Sequence, residues 1–317
     1  MYPSYLKAYQ NGKLESIIEE LSVMLSSCSI CPRKCKVDRL KDQKGFCRTG
    51  RKPKVCSFMP HHGEEPPISG KHGSGAIFFS GCNMACIYCQ NYEFSQLKGG
   101  KEVEIEGLAN FMLQLQEAGC HNINLVTPTH VLPQILKALK SAIGKGLKIP
   151  LVYNTSGYEL SGIIKLLSGI VDIYLADMRY ADNAQAIKYS AAPNYPEFNQ
   201  AALKEMHRQV GIAQIDKQGI IKKGLIIRHL VLPENISGTD KIMRFIAREL
   251  SLDSYISLMS QYFPCYKADQ FQKIARRITR QEYLDAKALM EKYGLYNGWT
   301  QDAYGLERFA GVNIKPI

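Results

Sequence analysis

The sequence predicts an α/β protein, a partial (βα)6 barrel preceded by a small N-terminal cysteine-rich extension. Three observations carry this. Short apolar runs alternate with helical patterns from residue 74 to residue 300, the signature of βα units on a parallel sheet. The runs are apolar throughout, as strands covered on both faces must be. Six such units fall short of the eight that close a complete barrel.

The elements follow in chain order. Within residues 5–27, Leu14, Ile17, Ile18, Leu21, Met24 and Leu25 recur at helical spacing and predict one amphipathic helix. Residues 48–73 read as loop and include His61-His62-Gly63-Glu64-Glu65-Pro66-Pro67, a substrate-facing loop or a solvated turn. The first barrel strand is Ala76–Ser80, behind Gly73-Ser74-Gly75. Strands then follow at Asn122–Val126, Ile149–Tyr153, Val171–Leu175, Leu225–Val231 and Tyr255–Met259. Helices are expected at 105–118, 131–143, 158–167, 181–189, 195–209, 239–250 and 280–293. The division is therefore 1–73 for the extension, 74–300 for the barrel and 301–317 for a C-terminal tail.

Composition narrows the class. The chain of 317 residues is long enough for one or two domains with a sizeable core. No apolar run reaches the length of a membrane span, and Met1-Tyr2-Pro3-Ser4-Tyr5-Leu6-Lys7 has no apolar signal core, so a cytoplasmic protein is expected. Ten cysteines in that setting argue for metal or redox chemistry over disulfides. The formal charge of +11 suits an anionic cofactor or an acidic partner. No basic run carries interleaved aromatics, so nucleic acid is not an expected partner.

Cysteine spacing points to the chemistry. Cys82, Cys86 and Cys89 lie in Gly-Cys-Asn-Met-Ala-Cys-Ile-Tyr-Cys-Gln-Asn, just after the first strand. Three such thiolates can hold three irons of a [4Fe–4S] cubane, with the fourth iron left for a ligand that is not protein. Zinc wants four ligands, usually as two Cys pairs. At the C-terminal strand ends, where ligands sit in parallel α/β folds, stand Thr127-Pro128-Thr129-His130, Asn154-Thr155-Ser156-Gly157-Tyr158, Asp177-Met178-Arg179, Arg228-His229 and Ser260-Gln261-Tyr262. Any one of these, such as Thr129 or Ser156, could be a helix cap; together they mark a site.

On these stretches the chain resembles the radical S-adenosylmethionine (radical SAM) superfamily. The resemblance extends to pyruvate formate-lyase activating enzymes, and more closely to the PflX-like subgroup. It implies a [4Fe–4S] cluster on Cys82, Cys86 and Cys89 and SAM on the open iron. It further implies reductive cleavage of SAM to a 5′-deoxyadenosyl radical, and hydrogen abstraction from a substrate such as a backbone glycine of a glycyl-radical enzyme. A flavodoxin- or ferredoxin-type electron donor would be a partner. Carried over residue by residue, Tyr88 packs on the SAM adenine, and Thr127 and Thr129 take the place of a Gly-Gly-Glu stretch that binds the amino group. Asn154 with Thr155, Asp177 with Arg179, and Arg228 meet SAM, and Gln261 falls at the ribose position. Arg179 stands where the family carries Lys; its planar fork suits a carboxylate. The chemistry asks for positioning and not for an acid or base, so no catalytic side chain is assigned.

A departure from the activating enzymes precedes the barrel. Cys28-x2-Cys31-x3-Cys35-x11-Cys47 predicts a second metal knuckle, for zinc or for another iron–sulfur cluster. Cys56 is a substitute ligand, and Cys120 and Cys265 read as ordinary buried thiols. Two rival readings stand: a radical SAM enzyme for a small molecule or other peptide, and a non-enzymatic zinc or nucleic-acid-binding module built on the knuckle.

Overall fold

The computed structural model of the chain describes residues 2–97 and 99–301. The tail expected at 301–317 lies outside the described residues after Gln301. Among the described residues ten strands form one sheet: β1 (Lys54–His61), β2 (Ser74–Phe79), β3 (Lys101–Glu102), β4 (Ile123–Val126), β5 (Leu151–Thr155), β6 (Ile173–Asp177), β7 (Gln214–Ile215), β8 (Ile221–Leu230), β9 (Tyr255–Met259) and β10 (Gly298–Thr300). Their order is β10-β9-β8-β6-β5-β4-β2-β1-β3, with β7 paired off this path to β8. Strands β2, β4, β5, β6, β8, β9 and β10 run parallel. That singly wound order, open at both edges, is a partial barrel.

The helices are α1 (Tyr5–Gln10), α2 (Lys13–Val23), α3 (Pro66–Ser69), α4 (Tyr92–Ser95), α5 (Ile105–Glu117), α6 (Leu132–Gly144), α7 (Ser161–Leu166), α8 (Asn183–Ser190), α9 (Tyr195–Val210), α10 (Thr239–Phe245) and α11 (Arg280–Lys292). The single helix expected over 5–27 is two, because Gly12 takes φ 77°. Leu14, Ile17, Ile18 and Leu21 are buried, and α2 packs on α6. At about 1.5–3 kcal/mol for each such side chain, this packing anchors the extension to the barrel. Thr279 and Glu282 form a capping box that starts α11. Among the described residues no helix is long and apolar enough to cross a membrane.

Three further differences from expectation position the site. Residues 48–73 are not all loop: β1 runs antiparallel to β2, with His61 opposite Ser74. Pro60 is tolerated there because β3 covers β1 only at Lys54 and Val55. Strands β5 and β6 lie two residues later than expected. Pro150 has no N–H to donate, and Asp172 is held by Ser4, whose N–H donates to Oδ2 at 2.9 Å. Asn154, Thr155 and Asp177 are thereby strand residues and not loop residues. A seventh parallel strand, β10, extends the edge beyond β9.

The main core lies between the sheet and the outer helices. A smaller cluster fills the lower barrel interior, where Ile68 of α3 packs with Val152, Ile173, Leu175 and Ile226. Asn122 Nδ2 donates to the Ile68 carbonyl at 2.8 Å, so α3 is pinned across the barrel floor.

Candidate functional site: a thiol loop over a buried charge network

Beyond β2 the chain turns into the cysteine loop at Gly81, whose φ is 83° and whose Cβ would lie 2.4 Å from the Cys47 carbonyl oxygen. The loop is tied from three sides. Asn83 Nδ2 donates to the Tyr158 carbonyl at 2.7 Å. The Ala85 and Ile87 amides donate to the Ser190 and Tyr189 carbonyls at the end of α8, at 2.9 and 3.0 Å. Arg33 Nε, from the extension, donates to the Asn83 carbonyl at 2.8 Å, and the same guanidinium lies 3.6 Å over the Phe46 ring.

Cys82, Cys86 and Cys89 all line one cavity of about 690 Å³. Cys86 Sγ accepts from Ser190 Oγ at 3.0 Å, Cys82 Sγ accepts from the Met84 amide at 3.3 Å, and Cys89 Sγ lies 3.1 Å from Ser95 Oγ. Among the described residues no three His, Cys, Asp or Glu side chains gather at the spacing of ligands on a single ion.

Below the thiols runs a chain of charge. Arg179 Nη1 lies 3.9 Å from Cys86 Sγ, and its Nε and Nη2 donate to Asp177 Oδ2 at 3.0 and 2.5 Å. Arg228 Nε donates to Asp177 Oδ1 at 2.7 Å, its Nη2 to Asn154 Oδ1 at 2.6 Å and its Nη1 to Glu64 Oε2 at 3.4 Å. Burial alone would push Asp177 up, but the Arg228 and Arg179 guanidiniums hold it below the usual carboxylate range.

Residues 76–246, more than half of the chain, match the Radical SAM superfamily. The chain belongs to the radical SAM superfamily. A relative from Methanocaldococcus jannaschii, the uncharacterized protein MJ0674, is 31% identical over 291 residues, 89% of this chain and 79% of that protein. Among solved structures, the [FeFe]-hydrogenase maturase HydG aligns with TM-score 0.49 and 14% identity over 68% of this chain and 48% of HydG, so the match spans about half of HydG. TYW1, solved with a lysine–pyruvate adduct, aligns with TM-score 0.47 and 15% identity over 70% of this chain and 74% of TYW1. Neither likeness bears on the substrate.

Radical SAM proteins hold a [4Fe–4S] cluster and SAM, and the residues present fit both. Three thiols on one cavity, without a fourth protein ligand in their loop, match a cluster with one open iron. Burial pushes the Cys89 thiol up to about 11, with Cys86 adding to it, and a bound metal would favour its thiolate form. The Arg179 guanidinium beside Cys86 suits a carboxylate.

Of the other expected cofactor contacts, Tyr88, Thr127, Asn154, Thr155, Asp177, Arg179, Arg228 and Gln261 line the cavity. Tyr88 is 3% exposed, packs edge-on to Tyr262 and lies 2.5 Å from Tyr180 through the two hydroxyls. Thr127 sits at φ 60°, with its amide on the Asn154 carbonyl at 2.9 Å. Thr129 does not line the cavity. Its hydroxyl donates to Glu159 Oε1 at 2.5 Å, as Thr155 does, behind the wall. The 3-10 turn Thr129–Val131 rolls this side chain away from the mouth.

Of the two readings of the His61-His62-Gly63-Glu64-Glu65 stretch, the structure places it on the cavity and not in a solvated turn. Glu64-Glu65 directly before Pro66-Pro67 was the available signal, a charged pair at a helix start. Sequence reasoning missed Arg33 as the strap on the loop. The knuckle cysteines Cys28, Cys31, Cys35 and Cys47 share one small cavity with Arg39 and His130. Cys56, Cys120 and Cys265 lie elsewhere: Cys56 and Cys120 are buried, and the Cys265 thiol donates to the Tyr88 carbonyl at 3.3 Å.

Proposed function

We propose that Cys82, Cys86 and Cys89 carry the cluster and that SAM lies across the barrel mouth between them and the Asp177–Arg179–Arg228 network. When bound, the cluster and SAM supply a 5′-deoxyadenosyl radical that removes a hydrogen atom from a substrate. The chain's own residues then have distinct tasks. Arg179 and Arg228 face the carboxylate of SAM, Asp177 holds both guanidiniums in place, Asn154 and Thr155 complete the rim, and Tyr88 offers its ring to the adenine. Gln261 takes the ribose side, and Thr127, through its hydroxyl or backbone, takes the amino group. The observation that carries this reading is the shared cavity: three thiols and the charge network open into one space. Anaerobic reconstitution followed by titration with SAM tests it. Saturable binding that depends on the cluster is expected; equal binding to cluster-free protein would overturn it.

For the substrate, the reading from the sequence is activation of a glycyl-radical enzyme, as in the PflX-like subgroup, with a flavodoxin- or ferredoxin-type protein as donor. A second reading, a small molecule held inside the barrel, is favoured by α3. It packs across the floor, and Pro66 and Ser69 of this helix line the cavity.

The knuckle is proposed as a second metal–thiolate centre. Arg39 is 1% exposed, with its nitrogens on the Gly50 carbonyl, the His130 carbonyl and, at 3.9 Å, Cys28 Sγ. Among the described residues no carboxylate forms an ion pair with it, and a buried, unbalanced cation is costly. Metal-bound thiolates at Cys28, Cys31, Cys35 and Cys47 would supply the missing negative charge.

A further inference from the structure

Beneath the network, two carboxylates enter the barrel from its floor. His61 pairs with Ser74, at the start of β2, so the segment that follows lies at the end of the barrel opposite the cysteine loop. From there Glu64 Oε1 accepts from Asn124 Nδ2 at 3.0 Å and Asn154 Nδ2 at 3.3 Å, while Oε2 faces Arg228. Glu65 is 8% exposed, lines the cavity, and its Oε2 has no hydrogen-bond partner.

Carboxyl groups outnumber guanidiniums here. The cavity wall carries Glu64, Glu65 and Asp177 against Arg179 and Arg228, and burial pushes the Glu64 and Glu65 carboxyls up, so a cation brought to them would hold both charged. Arg228 meets Asp177, Glu64 and Asn154 through Nε, Nη1 and Nη2, and reaches Glu65 through its charge, without a hydrogen bond to Oε2. An unpaired buried carboxylate oxygen is costly unless a donor meets it. In the reading above the SAM amino group would be taken by Thr127 at the mouth and not by this floor. Glu64 is separated from Cys86 by Arg179, Asp177 and Arg228 in series.

We infer that the floor of the cavity, Glu64 and Glu65, binds the ammonium or other cationic nitrogen of an amine substrate. This rests on the small-molecule reading above and names its substrate class. A cationic nitrogen would meet the free oxygen of Glu65 and balance the third carboxylate through charge-assisted hydrogen bonds. The rest of the substrate would extend upward toward the mouth, where a hydrogen is removed.

The test is calorimetric titration of the anaerobically reconstituted full chain, in the presence of SAM, with n-butylamine and 1,4-diaminobutane. Butane-1,4-diol and succinate serve as the neutral and anionic counterparts. The amines are expected to bind and the diol and succinate to fail. Glu65→Gln should weaken amine binding at least about tenfold, the loss of one charge-assisted contact. Glu65→Asp, which keeps the charge, should retain the preference for amine over diol. Absence of amine binding, equal binding of the diol or succinate, or unchanged amine affinity in Glu65→Gln would overturn the inference. Uncoupled 5′-deoxyadenosine formation by the same wild-type sample reports on the radical reading separately. Amine binding without cleavage keeps this inference and sinks that reading; cleavage without amine binding does the reverse.

Discussion

Arg228 Nε donates to Asp177 Oδ1 at 2.7 Å, across the parallel register of β6 and β8 that sets the two residues side by side. Arg179 closes on the other carboxylate oxygen. Asp177 is therefore a rigid post between two cations, both projecting from strand ends or the turn just beyond. Rigid placement is what radical chemistry requires, because it is selective only through position.

Arg228→Ala should have two effects. It leaves Asp177 with one guanidinium and Glu64 with none, a loss of about 3–5 kcal/mol for a broken buried pair. It should also weaken SAM binding about ten- to a hundredfold, the equivalent of a charge-assisted bond. Thermal melting and SAM titration of cluster-loaded protein measure both. Unchanged SAM affinity in a folded variant would make Arg228 a purely structural residue.

Gly157 follows the end of β5 with φ 74°. A Cβ there would lie 2.1 Å from Asn199 Nδ2 and 2.4 Å from the Asp177 carbonyl oxygen. Asn199 Nδ2 itself donates to the Asp177 carbonyl at 2.9 Å, so the glycine leaves room for the tie that holds the Asp177 backbone. Gly157→Ala is expected to lower the melting temperature by about 5 °C or more, from backbone strain and a displaced Asn199. Gly162→Ala in α7, where a Cβ meets nothing within 4 Å, should be neutral or stabilising. Equal effects of the two substitutions would contradict this.

The legible and illegible parts of the site differ in sequence range. Cys82, Cys86 and Cys89 fall within eight residues, so their spacing carries the chemistry. The barrel was legible for the same local reason: its strands are continuous apolar runs. The pairing of Glu64 with Arg228 was not, because Arg228 lies 164 residues away and β1, which delivers Glu64, contains Lys54, Ser57 and Pro60 and lacks a strand's apolar pattern. Thr129 misled because its motif position suggested a ligand, whereas the 3-10 turn after β4 sends it to Glu159.

Glu159 gives a pH prediction. Burial pushes its carboxyl up to about 7, against the hydrogen bonds from Thr129 and Thr155. The folded state thus holds a proton that the unfolded chain releases near 4.5. Stability should fall as pH rises from the unfolded value to about 7 and level off above it, a loss on the order of 3 kcal/mol. Glu159→Gln keeps acceptors for both threonines and should flatten this slope in melting curves between pH 4.5 and 8. An unchanged slope would show that other groups set it.

The knuckle can be tested apart from the radical loop. A Cys82/Cys86/Cys89→Ala triple variant, purified anaerobically, should retain metal at Cys28, Cys31, Cys35 and Cys47, and metal analysis tells zinc from iron. Arg39→Met, which removes the buried cation, should lower that metal content. A triple variant with neither zinc nor iron would mean that packing alone holds these four cysteines.

The most direct measurement is 5′-deoxyadenosine formation. Reconstituted anaerobically with iron and sulfide and supplied with SAM and dithionite, the wild-type chain should release 5′-deoxyadenosine. Cys82→Ala, Cys86→Ala and Cys89→Ala should each abolish it while the barrel stays folded by circular dichroism. Full activity in any one of the three would contradict the placement of the cluster on this loop.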